Sequence, residues 1–489
     1  MKFFYTSSCG FTRVLFLFIL FFTTISQAQV GIGNTNPNAS SMLDITSTEK
    51  GFLAPRMTTA QRTAITTPAN SLLVYDTDLK SFYYYDLTST SWVKINSATN
   101  QRNNYKLVKS VTDLEPELAA GGGAKYMLTS NTYYEINGLI ALAAPIDLNN
   151  AYISGLDANE DILFRATGPV FQGATGGGIR NVTLTGGGSA FNITGGTSLL
   201  IQNTVVANFA SVGTISNVSL YFGNIVQFVG NTTGIIYTNI GKLLLSNQAW
   251  FATNNGIFET FTGTFELIEK VSGFSNVDAA DVAIDVSSNP SVGDGVLFST
   301  VFSGTTTAPG GYIKRYTTGS YNGYNFTNAW SVNCPGIPRE SNNEATSNFY
   351  FNGDLTTGFV QTISNGTPVK IQGDGTFNAT NLFRFTATGG NRLQYVGNKT
   401  RTFQITGSLS VRVTNAVGNF YAFVIAKNGT VITESNAIIY IASDAQIQNI
   451  AMNVAVSMNE NEYIEVYVAR LTGSGNDTLV VFSENLSIK

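Results

Sequence analysis

The sequence predicts an all-β protein: a right-handed parallel β-helix with a small N-terminal module before it and a C-terminal jelly-roll head after it. Three observations predict this. The stretch from Ile162 to Phe258 is nearly free of charge and rich in Gly, Asn, Thr and β-branched residues. It repeats an apolar-x-Asn unit followed by a short alternating strand: Ile179-Arg180-Asn181, Ile201-Gln202-Asn203, Ile215-Ser216-Asn217 and Tyr237-Thr238-Asn239. Beyond about Ile371 the strands lengthen and alternate at a spacing that suits a jelly roll.

The repeat carries the β-helix. A short strand cannot bury its apolar face alone, but it can when stacked on the coils above and below. The asparagines follow one another at 22, 14 and 22 residues. Asn181, Asn203, Asn217 and Asn239 are therefore expected to form a structural ladder at strand starts, with amides turned into the coil and bonded coil to coil. The interval of 14 is too short for a full coil. It marks either a second corner or an abbreviated turn.

Composition bounds the function. The chain has 489 residues, only 12% of them charged, and a net charge of −4. No basic patch is present to hold phosphates, so nucleic acid is not an expected partner. There is no histidine, which removes Ser-His and Cys-His nucleophile pairs and histidine metal ligands. The two cysteines are Cys9 and Cys334. Cys9 falls in a segment expected to be removed, so Cys334 is expected as a buried thiol, with an intermolecular bridge as the alternative.

In chain order, residues 1–28 read as a signal peptide: Lys2 and Arg13, the apolar run Val14 to Phe22, then Ser26-Gln27-Ala28. That run is short for a bilayer, and no later stretch is long and apolar enough to span one, so the mature chain is expected without a membrane span. Residues 29–98 form an N-terminal assembly or attachment module, in which Thr58 caps a short helix through Ala64. A polar linker follows to Asn104. The β-helix is assigned to 105–302, with 113–118 covering its open end. A loop-rich connector, 303–370, carries aromatics among glycines. The head, 371–489, contains the Asn428-Gly429 hairpin signal.

Two stretches carry a resemblance. VGIGNTNPNASSMLDI, GFLAPRMTTAQR, LLVYDTD, SFYYYD and SWVKI together resemble the N-terminal module of secreted bacterial proteins related to phage tail fibres. That resemblance implies attachment and assembly. The pattern from about Ile371 resembles the C1q/TNF-like trimeric head that also caps phage fibres, which implies a homotrimer. The strand Phe420-Tyr421-Ala422-Phe423-Val424-Ile425 is apolar on both faces. One face fills the head and the other is expected at a threefold axis, with Tyr421, Phe423, Ile425, Tyr463 and Tyr467 as interface residues.

Two functions then compete. One is a secreted or cell-surface fibre-like adhesion protein whose three heads bind a surface polysaccharide or a cell-surface receptor by avidity. The other is a polysaccharide depolymerase or lyase of the pectate-lyase-like β-helix class. Such enzymes set carboxylates across a groove, and no Asp or Glu lies between Asp161 and Glu259. The remaining acids, among them Asp157, Glu160, Asp161, Glu266, Glu269 and Asp281, read as solvated turns and end caps. No catalytic residue, metal ligand or cofactor is assigned. Tyr321, Tyr324 and Trp330 are the candidate sugar-stacking residues, against a plain role in sealing the end of the β-helix.

Overall fold

A computed structural model describes residues 29–95, 103–356, 358–372, 377–388, 391–414 and 418–489. The segment read as a signal peptide lies outside them. The chain divides into two units, Met1–Gln101 and Arg102–Lys489.

In the first unit, a parallel pair, Val30–Ile32 with Leu43–Ile45, precedes the sheet formed by Arg56–Met57, Leu73–Asp76, Ser81–Asp86 and Ser91–Lys94. Thr58 starts the helix Thr59–Thr63 with a capping box: Gln61 N donates to Thr58 Oγ1 at 3.2 Å and Thr58 N donates to Gln61 Oε1 at 2.9 Å. Asp76, buried, fastens the helix to the sheet. It accepts from Arg62 Nε at 2.9 Å, from the Thr59 hydroxyl, and from the amides of Asp78 and Leu79.

The second unit is a parallel β-helix of about ten turns followed by an antiparallel sandwich. Successive coils pair in parallel: Leu200 with Phe222, Phe222 with Leu244, and Leu244 with Glu269. Long strands such as Gly196–Ala207, Val218–Val229 and Lys242–Trp250 bend once and so supply two faces. The third face is a separate nine-stranded sheet, including Ser189–Ile193, Ser211–Ser216 and Ile235–Thr238. Inward positions stack like on like, as in Ile153, Ile179 and Ile201, or Leu184, Val206, Phe228 and Trp250. All are at most 2% exposed. Each large apolar side chain so buried contributes roughly 1.5–3 kcal/mol.

The corners explain the repeat. Asn181, Asn203, Ile225, Asn247, Ser272 and Ser299 occupy one corner at successive levels, all with φ between 48° and 60°. Among residues with a side chain, Asn is one of those that accept this left-handed conformation most cheaply. Asn217 and Asn239 occupy a different corner, with φ of 55° and 52°. The interval of 14 is thus the step from one corner to the next. Asn203 Nδ2 donates to Asn181 Oδ1 at 3.2 Å, and Asn239 Nδ2 to Asn217 Oδ1 at 3.4 Å. The expected inward direction is corrected: Asn203, Asn217 and Asn239 are exposed and Asn181 half-buried, because a left-handed corner residue turns its side chain out of the coil. Asn231 and Asn254 form the interior ladder instead. Asn231 Nδ2 donates to Asn254 Oδ1 at 2.9 Å and to Val206 O at 2.9 Å, and both residues are at most 1% exposed.

The open end is covered by Val111–Leu114 and Glu115–Ala120. Leu114 enters the core, and Glu117 accepts from Lys106 Nζ at 2.6 Å and Tyr134 Oη at 2.9 Å. At the other end, the stretch expected as a connector supplies ordered strands to both parts. Ile313–Lys314 and Trp330–Asn333 complete the helix, while Thr346–Asn352 and Phe359–Ser364 join the sandwich. The sandwich packs two antiparallel sheets over a common core.

Tyr421, Phe423 and Ile425 are each 0% exposed within that core, which corrects their assignment to a subunit interface. They are the bulkier of the two alternating sets, so they fill the interior, and Phe420, Ala422 and Val424 take the outer face. Tyr463 and Tyr467 alternate with the core residues Ile464, Val466 and Val468 and are half-buried. No helix among the described residues is long and apolar enough to cross a membrane.

Candidate functional site

The three connector aromatics lie at the junction of shaft and sandwich. Trp330 is 1% exposed, and its Nε1 donates to Tyr316 Oη at 3.1 Å. It cannot present a face to a sugar. Tyr324 stacks on Phe383 with centroids 4.1 Å apart, and Tyr321 meets the same ring edge-on at 5.4 Å. Arg384, also 1% exposed, donates from Nη2 to Trp330 O at 2.8 Å and from Nη1 to Asn328 O at 3.2 Å. Glu340 accepts from the amides of Asn325 at 2.7 Å and Phe326 at 3.0 Å, and burial lifts its pKa to about 7. These residues seal and fix the joint.

The front acids are structural as well. Asp161 is buried and accepts from the amides of Gly138 at 2.8 Å, Leu156 at 2.7 Å and Asp157 at 3.0 Å. Burial works against its charge, but these amides hold its pKa below the ordinary value. Among the described residues no group of three or more acidic or sulfur ligands could hold a metal ion. Cys334 is a buried free thiol.

A charge pair that sequence reasoning did not single out lies inside the coil. Glu259 takes a position stacked between Ile235 and Ile284, and Lys270 one stacked between Leu245 and Leu297. Their side chains are 0% and 1% exposed, and Lys270 Nζ lies 3.0 Å from Glu259 Oε1. Glu259 Oε2 has no hydrogen-bond partner. Burial raises the Glu259 pKa and Lys270 opposes it. Parity was the available signal: Glu259 falls on the same strand face as Ile257 and Phe261, and Lys270 on that of Ile268.

The first face of the shaft carries an open groove of about 840 Å³ near its front end. Tyr105, Tyr133 and Tyr152 stand in register on three successive coils and point outward. The first two rings stack with centroids 6.1 Å apart, and the Tyr105 hydroxyl donates to Glu135 Oε2 at 2.9 Å. On the next coil the column reaches Gly178. A Cβ there would stand 3.1 Å from the Tyr152 ring, so the bare glycine lets that ring lie over the coil below. Tyr152 remains 47% exposed. Beside the tyrosines runs a polar column of Glu135, Ser154 and Arg180, while Asn104 and Asn131 close the other side. Arg180 is exposed and has no ion-pair partner among the described residues. Nothing in the local sequence pattern flagged this column, because its members are 28 and 19 residues apart and align only once the coils are stacked.

A family model described as a phage tail-like trimerisation region matches residues 31–108. Such a region followed by a parallel β-helix marks a tail-fibre-like protein. No curated protein matches the chain. Among solved structures, it is similar to the tailspike protein of Acinetobacter phage vB_ApiP_P1, at 10% identity over 90% of this chain and 100% of that one, with a TM-score of 0.31. It is also similar to the enzymatically active domain of tailspike protein 4 of bacteriophage CBA120, at 9% identity over 89% of this chain and 77% of that one, with a TM-score of 0.29. Eiger TNF from S. frugiperda is similar at 10% identity over 28% of this chain and 93% of that one, with a TM-score of 0.19.

Proposed function

We propose that the protein is a homotrimeric, extracellular fibre that binds an acidic surface polysaccharide along the groove of its shaft. The trimerisation match over residues 31–108 supports the threefold assembly. The observation that carries the ligand is the tyrosine column beside Arg180. Exposed aromatic rings offer flat apolar faces to the C–H faces of sugar rings, and the flanking Asn and Ser groups suit hydroxyls. A guanidinium without a carboxylate of its own suits an acidic sugar substituent. The rings repeat at the coil spacing of roughly 4.8 Å, so an extended chain laid along the shaft meets several of them. Three grooves on one assembly multiply weak binding into avidity. The C-terminal sandwich serves as the trimeric head, with Tyr463 and Tyr467 on its outer face.

The test is binding of purified acidic and neutral polysaccharides to wild type, Tyr152→Ala and Arg180→Ala. Tyr152→Ala should weaken binding about tenfold, or 1.4 kcal/mol per site. Arg180→Ala should remove the preference for acidic chains. Unchanged affinity in both variants refutes the site. Shortening of the polysaccharide, read as new reducing ends or unsaturation, would replace the binder with a depolymerase or lyase.

A further inference from the structure

The charges beside the tyrosines are few, and their order along the shaft is specific. From one coil to the next, the column next to the rings runs Leu107, Glu135, Ser154, Arg180, Gln202 and Asn224. Over these levels it holds two charges, Glu135 and Arg180, of opposite sign. They stand two coils apart, roughly 10 Å at the strand spacing. Ser154 lies between them, buried, with its hydroxyl turned onto the Gly155 carbonyl at 2.9 Å. Glu135 is half-buried, and the Tyr105 hydroxyl donates to its Oε2 at 2.9 Å, which fixes the carboxylate beside the first rings. A carboxylate accepts at about four lone-pair sites. One bond from Tyr105 therefore leaves Glu135 able to take sugar hydroxyls.

We infer that Glu135 sets the charge spacing of the polysaccharide: the groove takes an acidic sugar at Arg180 only where the sugar two places along the chain is neutral. The inference rests on the acidic-polysaccharide reading above and narrows its ligand class. A sugar ring in an extended chain is close in length to one coil step of roughly 4.8 Å. The sugars that face Glu135, Ser154 and Arg180 are then consecutive. An acidic group on the third meets a guanidinium. An acidic group on the first meets a fixed carboxylate, and like charges set against each other across an interface are strongly disfavoured. A neutral sugar in that place instead donates its hydroxyls to Glu135. A chain with an acid on every sugar puts one on Glu135 whenever another sits on Arg180, and so does a chain with an acid on every second sugar. The class that fits is an acidic polysaccharide whose repeat is three sugars or longer with a single acid in each.

Carboxymethylcellulose tests it, because one flat backbone can carry acid on few of its sugars, on some or on nearly all. Affinity across such a series is measured by calorimetry on the full chain as wild type, Glu135→Gln, Arg180→Ala and Asp444→Asn. The last removes the same net charge from an exposed loop of the sandwich. Wild-type affinity should rise and then fall as substitution grows. Glu135→Gln keeps an acceptor for Tyr105 and should abolish the fall, binding the densest sample about tenfold more tightly than wild type. Glu135→Ala, which also drops the Tyr105 bond, should do the same, and Asp444→Asn should keep the fall. The gap between wild type and Glu135→Gln should narrow in about 1 M salt, where the screening length shrinks to about 3 Å. Equal affinity of wild type and both Glu135 variants for the densest sample overturns the inference, and so does an equal gain in Asp444→Asn; if Arg180→Ala still loses the rise, the groove stands. A wild type that binds no member of the series, or an Arg180→Ala protein that binds every member as wild type does, removes the acidic-polysaccharide reading itself and the inference with it.

Discussion

Lys270→Met isolates a carboxylate in the driest part of the shaft. Glu259 Oε1 has the Lys270 ammonium at 3.0 Å and Oε2 has no partner, with both side chains at most 1% exposed. Removing one member of such a pair costs about 3–5 kcal/mol, because the remaining charge has neither water nor a counter-ion. The sign of the pH dependence follows. Burial already raises the Glu259 pKa, and Lys270 is what opposes it. Without Lys270 the raised value climbs further. The variant should therefore be most stable when acid keeps Glu259 neutral, and should lose stability as pH rises through the folded pKa. The double variant Glu259→Leu/Lys270→Met should recover wild-type stability or exceed it, since well-packed apolar replacements of buried pairs are neutral or stabilising by about 1–4 kcal/mol. Hydrogen exchange of the strands Ile257–Thr262 and Thr264–Asn276 reads the effect locally, and thermal melts across a pH series, compared with wild type, give the sign. A Lys270→Met protein within about 0.5 kcal/mol of wild type at neutral pH, or a double variant no better than the single, refutes the reasoning.

Three further outcomes follow from described contacts. Glu340 is raised from 4.5 to about 7, so its share of the joint's stability is full below about pH 4.5 and falls as pH rises through 7, by about 3 kcal/mol at most; exchange at residues 325–333 should quicken across that window, and Glu340→Gln should flatten the dependence. Asn231→Ala strands the Phe209 amide and the Val206 carbonyl and should cost about 1–3 kcal/mol for each, whereas exposed Asn203→Ala should cost clearly less; equal melting shifts would contradict the assignment of the interior ladder. Asp76 is held down to about 2 by the Leu79 amide, Arg62, Thr59 and the Asp78 amide against the opposing effect of burial, so its contribution to the first unit should be complete above about pH 4 and be lost progressively as pH falls from there through the folded value of about 2, and Asp76→Asn should melt earlier with no such acid transition.

The β-helix was legible in the sequence because its corners need a left-handed residue once per coil, and Asn at that place repeats visibly. The direction of those side chains was not legible, since the same conformation that recruits Asn turns it away from the core. Ile225 could not be found by motif, because it occupies an Asn position without resembling one. In the head, the pattern of Phe420 to Ile425 showed two apolar faces but not which one packs inside. Side-chain volume decides it, as Tyr421, Phe423 and Ile425 fill a core that Ala422 would leave hollow. The groove was invisible for a different reason. Tyr105, Tyr133 and Tyr152 become neighbours only through coils of unequal length, and no local rule carries that information.

The Glu259–Lys270 pair has a consequence for how the shaft is assembled. Coils of equal length and similar lining are nearly interchangeable, as printed pages are when they carry no numbers. A nascent coil that stacked one level out of place would still bury isoleucine on isoleucine and lose little. At this one level a further constraint acts within the coil. Glu259 and Lys270 lie 11 residues apart on its consecutive strands Ile257–Thr262 and Thr264–Asn276, so a coil that turned its corner one residue early or late would point one partner outward and leave the other in the dry interior with no opposite charge, at a cost no apolar contact recovers. The pair therefore numbers the residues of one page rather than the pages: it adds little to the correctly turned coil and penalises the mis-turned one.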